Sequence, residues 1–138
     1  MSIKIKRLTE NFAAEINDVN LCEKISMRDF SDIKTAFEEY SILVFPNQPL
    51  TDEQQVVFSQ RFGDLENTIN SKQQGGAGKP VTVLTNVGKN GEVIAPEDRR
   101  MVFNTGNQMW HTDSSFKPIP AMMSLLSGRE VPPEGGET

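Results

Sequence analysis

One short segment of the chain carries the residue types that metal chemistry needs. His111 is the only histidine in the sequence, and Asp113 follows it two positions later. In an extended backbone, residues two apart point to the same side, so the imidazole and the carboxylate would lie next to each other. Such a pair offers two adjacent ligands to a borderline metal ion, as in non-haem iron sites built from two histidines and a carboxylate. The spacing therefore indicates a metal site.

The same pair also has a simpler interpretation. Seven residues of the chain are aspartate, so a histidine is followed by aspartate at this distance by chance in roughly one case in twenty. A single histidine is also commonly hydrogen-bonded within a fold rather than bound to a metal. Spacing alone leaves both interpretations open.

A glycine-rich segment at residues 71–80 raises the question of a phosphate-binding loop, because it contains Gly78 followed by Lys79. Two positions contradict that interpretation. Gln73 stands where the first glycine of such a loop belongs, and Pro80 replaces the serine or threonine that would bind magnesium. We therefore predict a surface loop without a nucleotide site.

The N-terminal residues carry strand and helix patterns in turn. Residues 3–7 alternate apolar and charged side chains, which predicts a half-buried strand, and a second short strand is expected at residues 13–16. Behind a Ser26 cap, apolar residues then recur every three or four positions, which predicts an amphipathic helix. The apolar positions of that helix are Phe30, Ile33, Phe37 and Tyr40.

Two further elements are predicted before the glycine-rich segment. Residues 41–45 form an apolar run closed by Pro46, which is typical of a strand buried on both faces. Thr51 with Gln54 three residues later is a capping-box pattern, and it predicts a helix that runs to Phe62 and stops at Gly63.

The C-terminal residues have strand character. Residues 81–86, 110–116 and 122–131 are predicted strands, separated by turns rich in glycine, proline and asparagine. His111 and Asp113 would lie on the second of them. The predicted fold class is α+β, with helices early and strands late.

Composition limits the classes of protein to which the chain could belong. Its 138 residues suffice for one domain but not for two of ordinary size, and its net charge of -5 disfavours nucleic-acid binding. One cysteine excludes an internal disulfide framework. The longest apolar run, residues 42–45, is far too short to span a membrane, and the N-terminus lacks the apolar core of a signal peptide, so we expect a cytoplasmic protein.

Two motifs together make the sequence resemble a known family. Residues 107–116 contain Trp-His-x-Asp, and residues 131–138 contain Pro-Pro-x-Gly-Gly-x-Thr. With the segments around residues 41–50 and 62–66, they resemble the TauD/TfdA family of iron(II)- and 2-oxoglutarate-dependent dioxygenases. The 2,4-dichlorophenoxyacetate dioxygenase-like branch of that family is the most similar. The resemblance covers nearly the whole chain.

The resemblance implies a fold and a reaction. The fold is a double-stranded β-helix, or jelly-roll, with bracing N-terminal helices, and residues 1–138 would be the N-terminal part of one such domain. The implied enzyme is a dioxygenase that uses iron(II), dioxygen and 2-oxoglutarate as cosubstrate. It would hydroxylate a small anionic organic acid, aryloxyalkanoate- or sulfonate-like, and give succinate and carbon dioxide.

Individual positions acquire roles through the same resemblance. His111 and Asp113 match the first two iron ligands and so the catalytic centre. Thr138 matches the threonine whose hydroxyl contacts 2-oxoglutarate, and Asn107 matches a polar position on the substrate side. Trp110 is expected to pack in the core beneath the ligand segment. Gly135 and Gly136 are expected to form the turn that presents Thr138.

The sequence also departs from the family pattern. The family has a second histidine as third iron ligand and a downstream arginine for 2-oxoglutarate, and this chain contains no second histidine. It is expected to be either the N-terminal half of a longer enzyme or a non-catalytic remnant or interaction module. A third alternative is a cupin-like binder of another metal. The sequence leaves a homo-oligomer open and gives no argument for it.

Some sulfonate-using members carry a histidine just after the Phe-Gly-x-Leu segment, where this chain has Glu66, Asn67 and Thr68. The difference favours an aryloxyalkanoate-like substrate over taurine.

Overall fold

A computed structural model describes residues 2–66, 81–106 and 109–135 of the chain. The chain divides into two compact units, one formed by residues 1–63 with 127–138 and the other by residues 64–126. The described elements are, in order, β1 (Lys4–Arg7), β2 (Ala14–Asn17), α1 (Met27–Tyr40), β3 (Leu43–Val44), α2 (Asp52–Gln60) and α3 (Arg99–Thr105). The first unit holds all of them except α3.

The first unit is built on a three-stranded mixed sheet in the order β1-β2-β3. β1 pairs antiparallel with β2, with Ile5 opposite Ile16, and β2 pairs parallel with β3, with Ala14 opposite Leu43. A parallel pair needs a crossover connection, and α1 supplies it between β2 and β3. The positions of the two predicted N-terminal strands are thus confirmed within a residue of their expected bounds. The expected half-burial of the first strand is wrong, because all four residues of β1 are exposed, Ile5 at 43%.

The core of this unit lies between β2 and one face of each helix. Ile16 and Ile33 are fully buried, and Phe30 and Phe58 bring the buried faces of α1 and α2 together. The rings of these two phenylalanines meet edge to face, with centroids 6.4 Å apart, and Phe62 joins them. Such edge-to-face contacts add to the free energy gained by burying the rings.

The two helices begin where the sequence predicts. The Ser26 side chain accepts a hydrogen bond from the Asp29 backbone N–H, and Thr51 and Gln54 form both hydrogen bonds of the capping box. α2 ends at Gln60, two residues before the predicted Phe62. Gly63 follows with a φ of 152°, a backbone conformation that side-chain-bearing residues rarely adopt.

Long-range contacts attach the loops to this core. The Gln48 amide accepts a hydrogen bond from the backbone N–H of Leu21 at 2.8 Å and donates to the carbonyl of Val19 at 3.1 Å. Residues 127–135 are tied to α2 through Arg129, whose guanidinium lies 3.0 Å from the Asp52 carboxylate.

The predicted strand at residues 41–45 is shorter and more exposed than expected. Only Leu43–Val44 pair as β3, and Ile42 and Val44 are 50% and 42% exposed, so the prediction of burial on both faces is wrong. Among the described strands β3 pairs with β2 and stands at the edge of the sheet, and its two residues are intermediate and exposed.

The three strands predicted after residue 80 are not formed in the described part of the chain. Residues 81–86, 110–116 and 122–131 are irregular there, and one isolated bridge joins Val87 to Val93. A strand requires a neighbouring strand to pair its backbone N–H and C=O groups, and no strand ladder is described for these three segments. The helix α3 was not predicted. The described residues keep an α+β composition, while their three strands are early in the chain and a complete jelly-roll is not seen.

The glycine-rich segment at residues 71–80, predicted to be a surface loop, lies outside the described residues. In the part of the chain that the structure describes, no helix has the length and apolar character needed to cross a membrane.

Shortening the buried Ile33 side chain should destabilise the first unit more than shortening an exposed residue of the same helix. We expect Ile33→Ala to lower the free energy of unfolding by about 2–5 kcal/mol, because Ile33 is fully buried and a cavity would remain. Met27→Ala, at a side chain that is 81% exposed, should change it by less than about 0.5 kcal/mol. Urea unfolding followed by helical circular dichroism checks both, and equal losses would contradict the described core.

Candidate metal centre

The structure brings His111 and Asp113 together. The Nε2 atom of His111 lies 3.3 Å from Oδ1 of Asp113. The backbone that achieves this differs from the predicted strand, because residues 113–116 form a turn in which the Lys117 N–H donates to the Ser114 carbonyl at 2.9 Å. The expected neighbourhood of the two side chains is thus present on an irregular segment.

A backbone carbonyl sets the orientation of the His111 ring. Nδ1 of His111 lies 2.7 Å from the carbonyl oxygen of Met109. Because a carbonyl oxygen can only accept, Nδ1 must carry the hydrogen, which in the neutral ring leaves a lone pair on Nε2. Metal-binding histidines are commonly fixed in this way by a hydrogen bond from the other ring nitrogen.

The facing atoms of the pair need a positive charge between them. An unprotonated Nε2 and a carboxylate oxygen both present lone pairs, so their approach to 3.3 Å is favourable only with a proton or a metal ion between them. Two ligand atoms each about 2.1 Å from one ion, at roughly a right angle, would be about 3 Å apart. The observed separation and the nitrogen–oxygen donor set therefore fit a borderline divalent ion.

The pair is open to solvent and supplies two ligands. The His111 and Asp113 side chains are 47% and 59% exposed. Among the residues that the structure describes, no group of three or more histidine, cysteine or acidic side chains is arranged to hold a metal. Any further ligand to an ion at this pair would have to come from elsewhere, including water or a bound small molecule.

Trp110 does not pack in the core as expected. Its side chain is fully exposed, and Ile94 is the one buried hydrophobic residue described in the second unit. A ring of this size becomes buried only when other apolar groups cover it, and the described residues of the unit do not cover it.

Two of the predicted site residues cannot be placed. Asn107 and Thr138 lie outside the described residues, as does Gly136. Gly135 has a φ of 73°, in agreement with the glycine turn predicted before Thr138.

Sequence reasoning missed a second set of contacts around the turn after Asp113. Oε2 of Glu66 accepts a hydrogen bond from the Ser114 hydroxyl at 2.7 Å, and Oε1 pairs with the Lys117 ammonium group. The hydrogen bond from Lys117, and then that from Ser114, hold the pKa of the Glu66 carboxyl below its ordinary value. No local pattern could have revealed contacts between residues 48 positions apart.

The backbone of Ser114 links these contacts to the neighbouring Asp113. Its φ of 59° lies in the left-handed region, which is unfavourable for a residue with a side chain. The hydrogen bond to Glu66 ties the Ser114 side chain in place. The hydrogen bond from Ser114 to Glu66 therefore holds the turn that begins at Asp113.

A single histidine allows the orientation of the ring to be tested directly. In mildly alkaline solution, nitrogen-15 NMR of the imidazole should show the hydrogen on Nδ1, because the Met109 carbonyl accepts from that atom. Asp113→Asn should preserve this tautomer, since the Met109 carbonyl is unchanged. A dominant Nε2–H tautomer in the metal-free chain would contradict the described orientation.

Acidification should release the turn. A carboxyl group whose pKa is lower in the folded chain stabilises the fold above its unfolded-state pKa, and this contribution is lost as the pH falls through the folded-state value. Because the pKa of Glu66 is lowered, the loss should begin only as the pH falls below the ordinary glutamate value. Carbon-13 NMR of the Glu66 carboxyl should show titration below that value, and Glu66→Gln should remove this part of the pH dependence. Titration at or above the ordinary value would refute the contacts.

Comparison with known proteins places the chain in a family. The model of the family described as taurine catabolism dioxygenase TauD, TfdA family matches residues 4–138. The alpha-ketoglutarate-dependent 2,4-dichlorophenoxyacetate dioxygenase of Cupriavidus pinatubonensis is 36% identical over 100% of this chain and 49% of its own length. The (S)-phenoxypropionate/alpha-ketoglutarate-dioxygenase of Sphingobium herbicidovorans is 34% identical over 97% of this chain and 43% of its own length.

A solved structure agrees with these relatives. AAD-2, in complex with Mn(II) and N-oxalylglycine, is 35% identical, with a TM-score of 0.73 over 88% of this chain and 40% of that chain. The fold of the chain is therefore of the AAD-2 type. The chain spans about half the length of the curated relatives it matches. It belongs to the taurine catabolism dioxygenase TauD, TfdA family, whose members named above are dioxygenases dependent on alpha-ketoglutarate.

Proposed function

We propose that residues 1–138 form the N-terminal part of a single dioxygenase domain that binds iron(II) and 2-oxoglutarate. Its reaction would hydroxylate a small organic acid and give succinate and carbon dioxide. The observation that carries the proposal is the 3.3 Å approach of His111 Nε2 to Asp113 Oδ1, with Nδ1 occupied by a carbonyl. The relatives named for alpha-ketoglutarate support 2-oxoglutarate as the cosubstrate, and the family resemblance supports iron(II) as the metal.

In this proposal each site residue has a defined task. His111 Nε2 and Asp113 Oδ1 bind the iron, and the Met109 carbonyl keeps the proton on Nδ1 so that Nε2 can bind. When bound, iron and 2-oxoglutarate together supply the oxidation. The Thr138 hydroxyl contacts the 2-oxoglutarate carboxylate, and Asn107 lines the substrate side.

The substrate class follows from the relatives and from one position. Two relatives are named for aryloxyalkanoates, 2,4-dichlorophenoxyacetate and (S)-phenoxypropionate. Just after the Phe-Gly-x-Leu segment, where some sulfonate-using members carry a histidine, this chain has Glu66, Asn67 and Thr68. The Glu66 carboxylate is paired with Lys117 and Ser114. We therefore favour an aryloxyalkanoate over a sulfonate such as taurine.

Succinate formation tests the proposed reaction. We expect iron(II)-dependent conversion of 2-oxoglutarate to succinate to be stimulated by 2,4-dichlorophenoxyacetate or (S)-phenoxypropionate, and less by taurine. Proton NMR of the reaction mixture measures succinate. The assay is run with the chain alone and with the chain joined to the C-terminal half of the Cupriavidus dioxygenase, because the chain spans about half of that relative.

Variants of the two proposed ligands show whether succinate formation depends on His111 and Asp113. His111→Ala and Asp113→Ala should each reduce succinate to the level without protein, because each removes one of two ligands. Ser127→Ala, at a serine outside the pair, should leave it unchanged. The opposite result would be no succinate from either the chain alone or the joined protein, while metal binding still depends on His111. That result would favour the non-catalytic binding module instead.

A further inference from the structure

The Asp113 carboxylate has a second described partner besides His111. The Ser124 hydroxyl lies 2.6 Å from Oδ2 of Asp113, while Oδ1 faces His111. A carboxylate can only accept, so Ser124 donates, and the distance is within the range expected for a hydroxyl bound to a charged oxygen. The two carboxylate oxygens therefore have different tasks.

We propose that Ser124 is a positioning residue that holds Oδ2 of Asp113 and thereby presents Oδ1 alone to a metal ion bound by His111. The inference rests on the proposed function of the pair and adds a residue that neither the motif nor its spacing contains. Ser124 lies eleven residues after Asp113, in a different segment of the second unit.

The need for such a residue follows from the exposure of the aspartate. Asp113 is 59% exposed, so packing alone does not fix the rotation of its carboxylate. A freely rotating carboxylate could bind a metal through either oxygen or through both, and it would lose conformational entropy when it binds. A hydrogen bond that already holds Oδ2 removes part of this cost before the metal arrives.

The contacts on the other side of the turn complete the restraint. Glu66 holds Ser114 and Lys117 just after the aspartate, and so fixes the backbone from which the carboxylate projects. Ser124 then fixes the carboxylate itself. Partners of metal ligands act in this way, and their loss typically weakens metal affinity by about 10–100-fold.

The test measures Mn(II) binding by the 138-residue chain without any other ligand. Electron paramagnetic resonance counts the free Mn(II) ion in titrations of the wild type and of each variant. We expect Ser124→Ala to raise the dissociation constant by about tenfold. Ser124→Thr keeps a hydroxyl, so its dissociation constant should stay within about threefold of the wild-type value, a smaller change than in Ser124→Ala.

A matched variant and a spectroscopic readout separate positioning from a general loss of structure. Ser127→Ala makes the same substitution at a serine three residues further along the chain, and this variant should bind Mn(II) as the wild type does. Difference infrared spectra of chain labelled with carbon-13 in the aspartate carboxyls report the binding mode. The separation of the two carboxylate stretches should narrow in Ser124→Ala, because both oxygens of Asp113 become free to bind.

The outcomes separate the two proposals. Unchanged Mn(II) affinity in Ser124→Ala, with His111→Ala abolishing binding, would overturn the role of Ser124 and leave the metal pair intact. Equal weakening in Ser124→Ala and Ser124→Thr would also overturn it, since the hydroxyl would then not be responsible. Binding by the wild type that does not depend on His111, or no binding at all, would overturn the pair and with it the role of Ser124.

Discussion

The approach of His111 Nε2 to Asp113 Oδ1 is the constraint on which the candidate centre depends. Both atoms can present lone pairs, and their 3.3 Å separation is then favourable only with a proton or a metal ion between them. The surrounding contacts all serve to keep the two atoms facing each other. Met109 holds the far side of the ring, Ser124 holds the far oxygen of the carboxylate, and Glu66 holds the turn after it. The pair and its turn are thus held by residues from three parts of the chain, around positions 66, 109 and 124.

The first unit shows how the chain builds a stable support from local signals. Capping side chains start α1 and α2, and their apolar faces meet through Phe30 and Phe58 against the sheet. These elements could be predicted because a cap and a helical period both lie within a few residues of sequence. The chain segment that leads towards Thr138 is joined to this support through the ion pair of Arg129 with Asp52.

The candidate site could be predicted only in part, and the reason lies in the range of its contacts. Spacing and the family resemblance identified His111 and Asp113, although the expected strand is a turn at Asp113. Ser124 and Glu66 could not be found, because hydroxyl and carboxylate contacts over 11 and 48 residues leave no periodic pattern. The strands predicted after residue 80 failed because alternation describes one strand, while pairing depends on a second one. Trp110 was misplaced for a related reason, since burial depends on what covers a ring.

The most direct test of this account is whether a metal ion in the chain is bound by the imidazole nitrogen of His111. Because the chain has one histidine, any imidazole nitrogen bound to the metal must belong to it. Electron spin echo modulation of the Mn(II)-loaded chain detects such a nitrogen. The account predicts modulation from one nitrogen-14 nucleus, replaced by the nitrogen-15 pattern when histidine alone is labelled. A manganese signal without any coupling to a histidine nitrogen would contradict the central claim.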